Sequence, residues 1–285
     1  MSTVTGPGVY RGMPEDRYHA DPTAEGSLSN SGAKLILESP ARFRWAMDNP
    51  TTKRAFDFGR AAHAEVLGTG ALVVTVPPEL CAKNGAWSTT DAKEFIAKSQ
   101  EAGLTVLKPE DVTVIADMAE ALREHPIVRL LLKDGEAEAS YFWRDPETSV
   151  MMRARMDWMT KLPGGRPCIV DYKTTGRSAN PARFGWEARD YGYHMQDVCY
   201  REAADTLVEP GHAFLFIVQE KTAPYLVSVC EMDDDLRDVG AQRHRVARRL
   251  YLDCRTSDEW PGYAPIVHTI SARADYALEP IGATA

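Results

Sequence analysis

The chain has 285 residues, 44% of them hydrophobic and 26% charged, the balance of a globular protein with room for a substantial core. No apolar run approaches the ~18 residues that suggest a membrane span, and the opening "MSTVTGPGVYRGMPEDRYHA" lacks a basic stretch followed by an apolar one, so a cytoplasmic chain with no membrane partner is expected. A formal net charge of −8 speaks against a general nucleic-acid coat protein but not against a nuclease, in which cations and a local basic patch offset phosphate charge.

Residues 1–27 contain several Gly and Pro and are expected to form an extended arm lying on the body. "LSNSGAKLILESP" (28–40) predicts a short helix, capped by Ser29 or Asn30 and stopped by Pro40, and "ARFRWAMDN" (41–49) continues helically. "FDFGRAAHAEVLG" (56–68) predicts a second helix with Gly68 beyond its end. "ALVVTVPP" (71–78) is a short strand or an extended connection. Residues 89–101 and 109–132 predict helices, the latter broken at Pro126.

From residue 133 the pattern changes. "AEASYFWRD" (137–145), "SVMMRARMDWM" (149–159) and "RPCIVDYKTT" (166–175) predict three strands, the first two forming a hairpin. "DYGYHMQDVCYREAADTL" (190–207) predicts a helix, "HAFLFIVQE" (212–220) and "APYLVSVCEM" (223–232) two strands. Residues 233–254 predict a closing helix with its acids first and its bases later, as the helix dipole favours. The expected fold is a single α/β domain, 1–285, with a mixed central sheet flanked by helices: the arm (1–27), a helical N-terminal part (28–132) and a core (133–265).

The strand "CIVDYKTT" (168–175) ends in an unusual way. Side chains alternate along a strand, so Asp171 and Lys173 share one face and Tyr172 takes the other. By the same rule Arg153, Arg155 and Asp157 share a face, and Glu138 lies with Ser140 and Phe142. If the strands are neighbours, three carboxylates and a lysine converge. Clustered carboxylates repel one another and resist burial, so such a cluster calls for a hard cation such as Mg2+ or Mn2+. These parts fit metal-assisted hydrolysis of a phosphodiester. The plainer alternative is a salt bridge at a strand end, and D-x-K alone does not decide between them.

Seven segments, taken in order, resemble one family. They are "LSNSGAKLILESPARFRW" (28–45), "FGRAAHAEVLG" (58–68), "RARMDWM" (153–159), "IVDYKTT" (169–175), "YGYHMQDVCYREA" (191–203), "IVQEKTAPYLVSV" (217–229) and "EWPGY" (259–263). Over roughly residues 8–265 the chain resembles the PD-(D/E)XK nuclease superfamily, in particular the exodeoxyribonuclease VIII (RecE-type) phage recombination exonucleases. The resemblance implies a restriction-endonuclease-like core and a Mg2+-dependent exonuclease, with Mn2+ as a substitute. It implies action on double-stranded DNA ends, 5′→3′, to leave single strands for recombination. A ring-shaped homo-oligomer and a single-strand annealing protein as partner follow from the same resemblance.

Carried over by position, Asp157 and Asp171 are metal-binding acids and the backbone carbonyl of Tyr172 is a further ligand. Lys173 orients and activates the attacking water. Glu138 is another metal- or water-binding acid, with Glu136 competing for that role. His63 matches a histidine at the metal site of the RecB-like branch. Gln196 and Tyr200, four apart on a predicted helix, face back toward the site. Met156, not proline, precedes Asp157. Cys81, Cys168, Cys199, Cys230 and Cys254 include no close pair, so neither zinc nor an iron–sulfur cluster is expected.

Arg153, Arg155 and Arg60 are the preferred phosphate ligands. Arg42, Arg44, Lys53, Arg54, Lys221 and the run "RHRVARR" (243–249) are further candidates, the last also readable as a solvated helix face. Two other functions stay open: a structure- or sequence-specific endonuclease of the same fold, and a catalytically silent DNA- or partner-binding relative.

Overall fold

The computed structural model describes residues 4–49, 57–70 and 72–269. The first part runs β1 (Gly8–Tyr10), α1 (Glu15–His19), β2 (Leu28–Ser29), α2 (Asn30–Glu38), α3 (Pro40–Asp48), α4 (Asp57–Leu67), β3 (Val73–Thr75), α5 (Thr90–Glu101), β4 (Thr105–Leu107), α6 (Pro109–Glu124) and α7 (Pro126–Leu131). Then come β5 (Gly135–Ala137), β6 (Ser140–Arg144), β7 (Met151–Arg155), β8 (Trp158–Lys161), β9 (Pro167–Thr175), α8 (Pro181–Asp190), α9 (Tyr193–Leu207), β10 (Ala213–Glu220), β11 (Val227–Cys230) and α10 (Asp234–Ser257).

The predicted punctuation has physical counterparts. The Ser29 hydroxyl accepts the Gly32 N–H at the start of α2. Pro40 ends that helix and also begins α3, because the first helical position needs no N–H donor. Pro126 separates α6 from α7 in the same way. The expected hairpin forms, with Ser140↔Arg155 through Arg144↔Met151 in register.

The hairpin serves two sheets. Its outer half, β6 and β7, lies in a four-stranded sheet ordered β1-β6-β7-β2. Its inner half, β5 and β8, joins a five-stranded mixed sheet ordered β11-β10-β9-β8-β5. The ribbon turns over between the halves, at Glu138, whose φ is 53°. Met152, Ala154 and Met156 therefore pack into one core, whereas Trp158, two residues further on, packs against another.

β9 and β10 are parallel, and α8 and α9 make the crossover between them. Ile169, Phe214 and Phe216 pack on the α2, α9 and α10 side of the sheet. Cys168, Val170, Tyr172 and Ile217 pack on the α4, α6 and α7 side. α9 and α10 cross very closely: a Cβ on Gly240 would lie 2.3 Å from the carbonyl oxygen of His194. After α10, Trp260 stacks on Phe43 of α3 with ring centroids 5.6 Å apart.

Five elements have no counterpart in the sequence pattern: β1, α1, β2, β4 and α8. The first four are each five residues long or shorter, too short to show a period. Helix α8 reads "PARFGWEARD", with a mid-helix glycine that lowers its propensity. Tertiary packing of Phe184 and Ala188 holds it. Among the described residues no helix is long and apolar enough to cross a membrane.

Two buried ionisable groups set opposite pH limits on stability. Asp197 on α9 is fully buried, its oxygens lack hydrogen bonds, and Arg201 stands 3.8 Å away. Burial raises its pKa to about 7 despite the pull of Arg201 and Arg237. His244 is buried on Asn30, and burial, reinforced by Arg248, lowers its pKa to about 3. The folded chain thus takes up a proton at Asp197 before the unfolded chain does, which adds stability as pH falls through about 7. Below about 6.5 the unfolded chain also protonates His244 while the folded chain does not, and this loss offsets the continuing gain at Asp197 until about pH 4, below which stability falls. We expect Asp197→Asn to remove the rise in melting temperature between about pH 8 and pH 6.5 and to unmask a fall that begins near pH 6.5 instead of near pH 4, as read by thermal melts across pH.

Candidate active site

β9 is longer than β8. β8 pairs with Pro167–Val170, whereas β10 pairs as far as Thr175. From Asp171 onward one side of β9 therefore has no strand neighbour. Asp157 fills the first position of that gap. The Trp158↔Val170 pairing, extended by one residue, puts Asp157 opposite Asp171. Its Oδ2 accepts the unpaired Tyr172 N–H at 3.1 Å. In a pleated strand a residue's N–H and C=O point to the same side. The Tyr172 carbonyl thus faces the same gap.

Asp171 lies on the face opposite the Tyr172 ring, with only 1% of its side chain exposed. Gln196 Nε2 donates to its Oδ1 at 2.5 Å. Its Oδ2 forms an ion pair with Lys173 and has no other partner. Burial raises the Asp171 pKa to about 6; Lys173 works against that rise and Asp157 adds to it. Burial alone would lower the Lys173 pKa, but Asp171 and Asp157 outweigh it and the net direction is up. Lys173 is therefore an ammonium at neutral pH, and the Tyr193 ring lies 5.0 Å from its nitrogen.

His63, on α4, approaches from the other side of the sheet. Its Nδ1 is 3.4 Å from Asp157 Oδ2 and its ring lies 5.1 Å from that of Tyr172. Tyr200, one turn after Gln196, has its pKa raised by burial and then by the charges of Tyr18, Asp171 and Asp157. The fold thus brings together His63, Asp157, Asp171, Tyr172, Lys173, Gln196 and Tyr200.

The remaining expected residues lie elsewhere or are already occupied. Glu138 is beside Asp157 along the backbone, its N–H donating to the Asp157 carbonyl at 3.2 Å. Its carboxylate accepts Arg155 Nη2 at 2.8 Å. Glu136 pairs with Arg11 near the surface. Among the described residues no three His, Cys, Asp or Glu side chains form a metal-binding group. What the gap offers is two carboxylates, one of them with an otherwise unpartnered oxygen, beside a histidine and a backbone carbonyl that faces the same way. That donor set fits a hard divalent cation.

The arginines expected at phosphates have partners within the chain. Arg153 is buried and donates to the Ser27 carbonyl and hydroxyl, both at 2.8 Å, while Asp21 neutralises it at 2.5 Å. Arg155 donates to the Met13 carbonyl and to Ser140 as well as to Glu138. Both guanidiniums clasp the N-terminal arm. They do share a strand face, as expected, but the arm covers it. Arg60 is half-exposed and paired with Glu15 at 2.7 Å. Arg42 pairs with Glu38 and Arg44 with Asp48. Lys221 lies over the Phe58 ring. Within 243–249, Arg243, Arg245 and Arg249 are exposed, but Arg248 is buried against Asp145 and Glu202. Lys53 and Arg54 lie outside the described residues.

A family profile matches residues 29–272, and its description is a PDDEXK-like domain of unknown function (DUF3799). The chain belongs to this family. Its sheet order, its β9 acid and lysine and its helical flanks agree with a PDDEXK-like fold, and the superfamily resemblance read from the sequence holds. No curated protein gives a match. Among solved structures the chain is similar to a "Putative exonuclease" from Eubacterium rectale, with a TM-score of 0.59 and 10% identity over 92% of this chain and 97% of that one. It also matches a phage related exonuclease from Haemophilus somnus 129PT, with a TM-score of 0.33 and 12% identity over 82% of this chain and 97% of that one. At such identities the first likeness speaks to fold alone.

Sequence reasoning missed Lys34 and Glu187. The Lys34 ammonium donates to the Tyr191 carbonyl at 2.8 Å. Glu187, buried on α8, accepts the Thr175 hydroxyl at 3.2 Å and ties that helix to the end of β9. Lys34 falls within the family-like segment 28–45 without a signal that singles it out, and Glu187 falls in none of the seven; the placement of α8 reveals their contacts.

If Arg153 is an internal clasp, removing its counter-charge should be costly. Asp21→Ala leaves a buried guanidinium without its carboxylate and should cost about 3–5 kcal/mol, measured by urea denaturation. Asp21 also accepts hydrogen bonds from Thr23 and Ser27, so a double-mutant cycle with Arg153→Met isolates the pair: an internal clasp gives a clear coupling energy, a phosphate-binding Arg153 none.

Proposed function

We propose that this chain is a Mg2+-dependent DNA exonuclease that hydrolyses linear duplex from its ends, with 5′→3′ polarity, to give single strands for recombination. The observation that carries this reading is the juxtaposition of Asp157, Asp171 and Lys173 at the point where β9 outruns β8. The family's PDDEXK-like description supports the nuclease class. The exonuclease assignment, the polarity, an annealing-protein partner and a ring-shaped assembly rest on the RecE-type resemblance of the sequence.

Asp157 and Asp171 would hold the cation, with the Tyr172 carbonyl and His63 at the same rim. Mg2+ bound there supplies a Lewis acid for the phosphate and lowers the pKa of a bound water. Lys173 keeps its charge at neutral pH, so it serves as a hydrogen-bond donor that orients the attacking water and meets charge developing on the phosphate. Gln196 fixes the Asp171 carboxylate by donating to Oδ1, which leaves Oδ2 turned toward Lys173. Arg155 holds Glu138 at the rim beside Asp157.

Incubation with end-labelled linear, nicked and covalently closed duplex, with Mg2+ or with EDTA, tests this reading. Linear DNA should be digested only with Mg2+, and closed circles should resist. Asp171→Asn and Lys173→Met should each lower the rate by about a hundredfold or more while thermal melts show a folded chain. Cutting of closed circles would instead indicate an endonuclease. Mutants that digest DNA normally would remove the site assignment.

A further inference from the structure

Helix α8 carries an exposed surface that the proposed chemistry does not use. Phe184, Glu187 and Ala188 face inward, and Arg183, Trp186, Arg189 and Asp190 face out. Trp186 is 64% exposed, a large indole left in water. The Arg189 guanidinium lies 4.8 Å from its ring centroid. Arg183 and Trp186 are three apart and share a face. Tyr191, just past the helix, is 48% exposed.

This surface is tied to the candidate site through Glu187, Tyr191 and Lys34. The Glu187–Thr175 hydrogen bond pins α8 to the end of β9, two residues beyond Lys173. The Tyr191 and Tyr193 rings lie 5.7 Å apart, and the Tyr193 ring lies 5.0 Å from Lys173 Nζ. The Tyr191 carbonyl holds the Lys34 ammonium. Lys34 passes so close to Gly192, at φ 66°, that a Cβ there would lie 2.7 Å from Lys34 Cδ. Burial and then repulsion from Lys173 lower the Lys34 pKa to about 8. Asp171 already pairs with Lys173 and pulls the other way on Lys34, so Lys34 adds a cation at the edge of the site where a phosphate can approach.

We propose that α8, Tyr191 and Lys34 form a track for an unpaired nucleic-acid strand at the candidate site, Trp186 and Tyr191 stacking on bases and Arg183, Arg189 and Lys34 meeting phosphates. The inference rests on the nuclease reading above and extends it to a named surface. Exposed rings interleaved with cations are the pattern by which single strands are held without base-specific hydrogen bonds. A duplex offers only the face of its terminal pair, whereas two separate exposed rings, Trp186 and Tyr191, can each take a base of an unpaired strand, which favours a single strand as the occupant. The whole chain is acidic, at −8, whereas this surface gathers Lys34, Arg183 and Arg189 against the exposed Asp190.

Fluorescence polarisation of a labelled 15-nucleotide dT oligomer, with the full chain in EDTA to prevent cleavage, tests the track. Trp186→Ala should weaken binding about tenfold or more, within the range for removal of one stacked ring. Arg183→Gln with Arg189→Gln should make binding less salt-dependent, lowering the log–log slope by about 0.7 for each phosphate no longer neutralised. Unchanged affinity and slope in these variants would overturn the track. So would a Trp186→Ala chain with normal oligomer binding and altered sedimentation, which would make the surface a protein contact. The two readings fail separately. A chain that binds the oligomer through Trp186 but digests no DNA keeps the track and loses the nuclease. A chain that digests DNA while Trp186→Ala binds normally does the reverse.

Discussion

The candidate site depends on a mismatch in strand length. β9 continues for five residues after β8 has ended, and backbone groups left without a neighbour in a protein interior must find partners. Asp157 supplies one partner by taking the Tyr172 N–H. That single hydrogen bond sets one carboxylate across from another, so the charge cluster follows from the need to complete a sheet edge. Had β8 continued, the gap would be closed by a carbonyl and no acid would be required there.

The rest of the fold supports this opening. The hairpin turns over at Glu138, which carries β6 and β7 away into a second sheet and keeps them from covering β9. α9 delivers Gln196 to Asp171 from one face, and α4 delivers His63 to Asp157 from the other. Buried ionised groups are tolerated because each finds a counterpart: Lys173 for Asp171, Asp21 for Arg153, Glu202 and Asp145 for Arg248. Asp197 lacks so close a partner, and its raised pKa is the result.

Much of the architecture is legible in the sequence. The hairpin, the β9 charges and the long α9 and α10 announce themselves by alternation, by turn residues or by helical spacing. Alternation also puts Asp171 and Tyr172 on opposite faces, as found. It also puts the two arginines on one face, but a strand face says nothing about what covers it. Arg153 and Arg155 do point the same way, but toward residues 13–27, whose contribution comes from loop geometry around Asp21 that no period encodes. Trp158 packs away from Met152, Ala154 and Met156 for a related reason: a ribbon that turns over keeps its alternation yet exchanges the cores it meets. Helix α8 leaves no clear signal because its stability comes from Phe184, Ala188 and Glu187 docking on distant residues.

The two guanidiniums that hold the arm also determine what the protein can lose. β1 and β2 occupy both outer edges of the four-stranded sheet. Proteolytic trimming before residue 28 would bare the flank of β6, uncover Arg153 and open a row of unsatisfied amides to neighbouring molecules. Clipped chains would then be prone to edge-to-edge aggregation, even though the cut lies at the periphery in sequence terms.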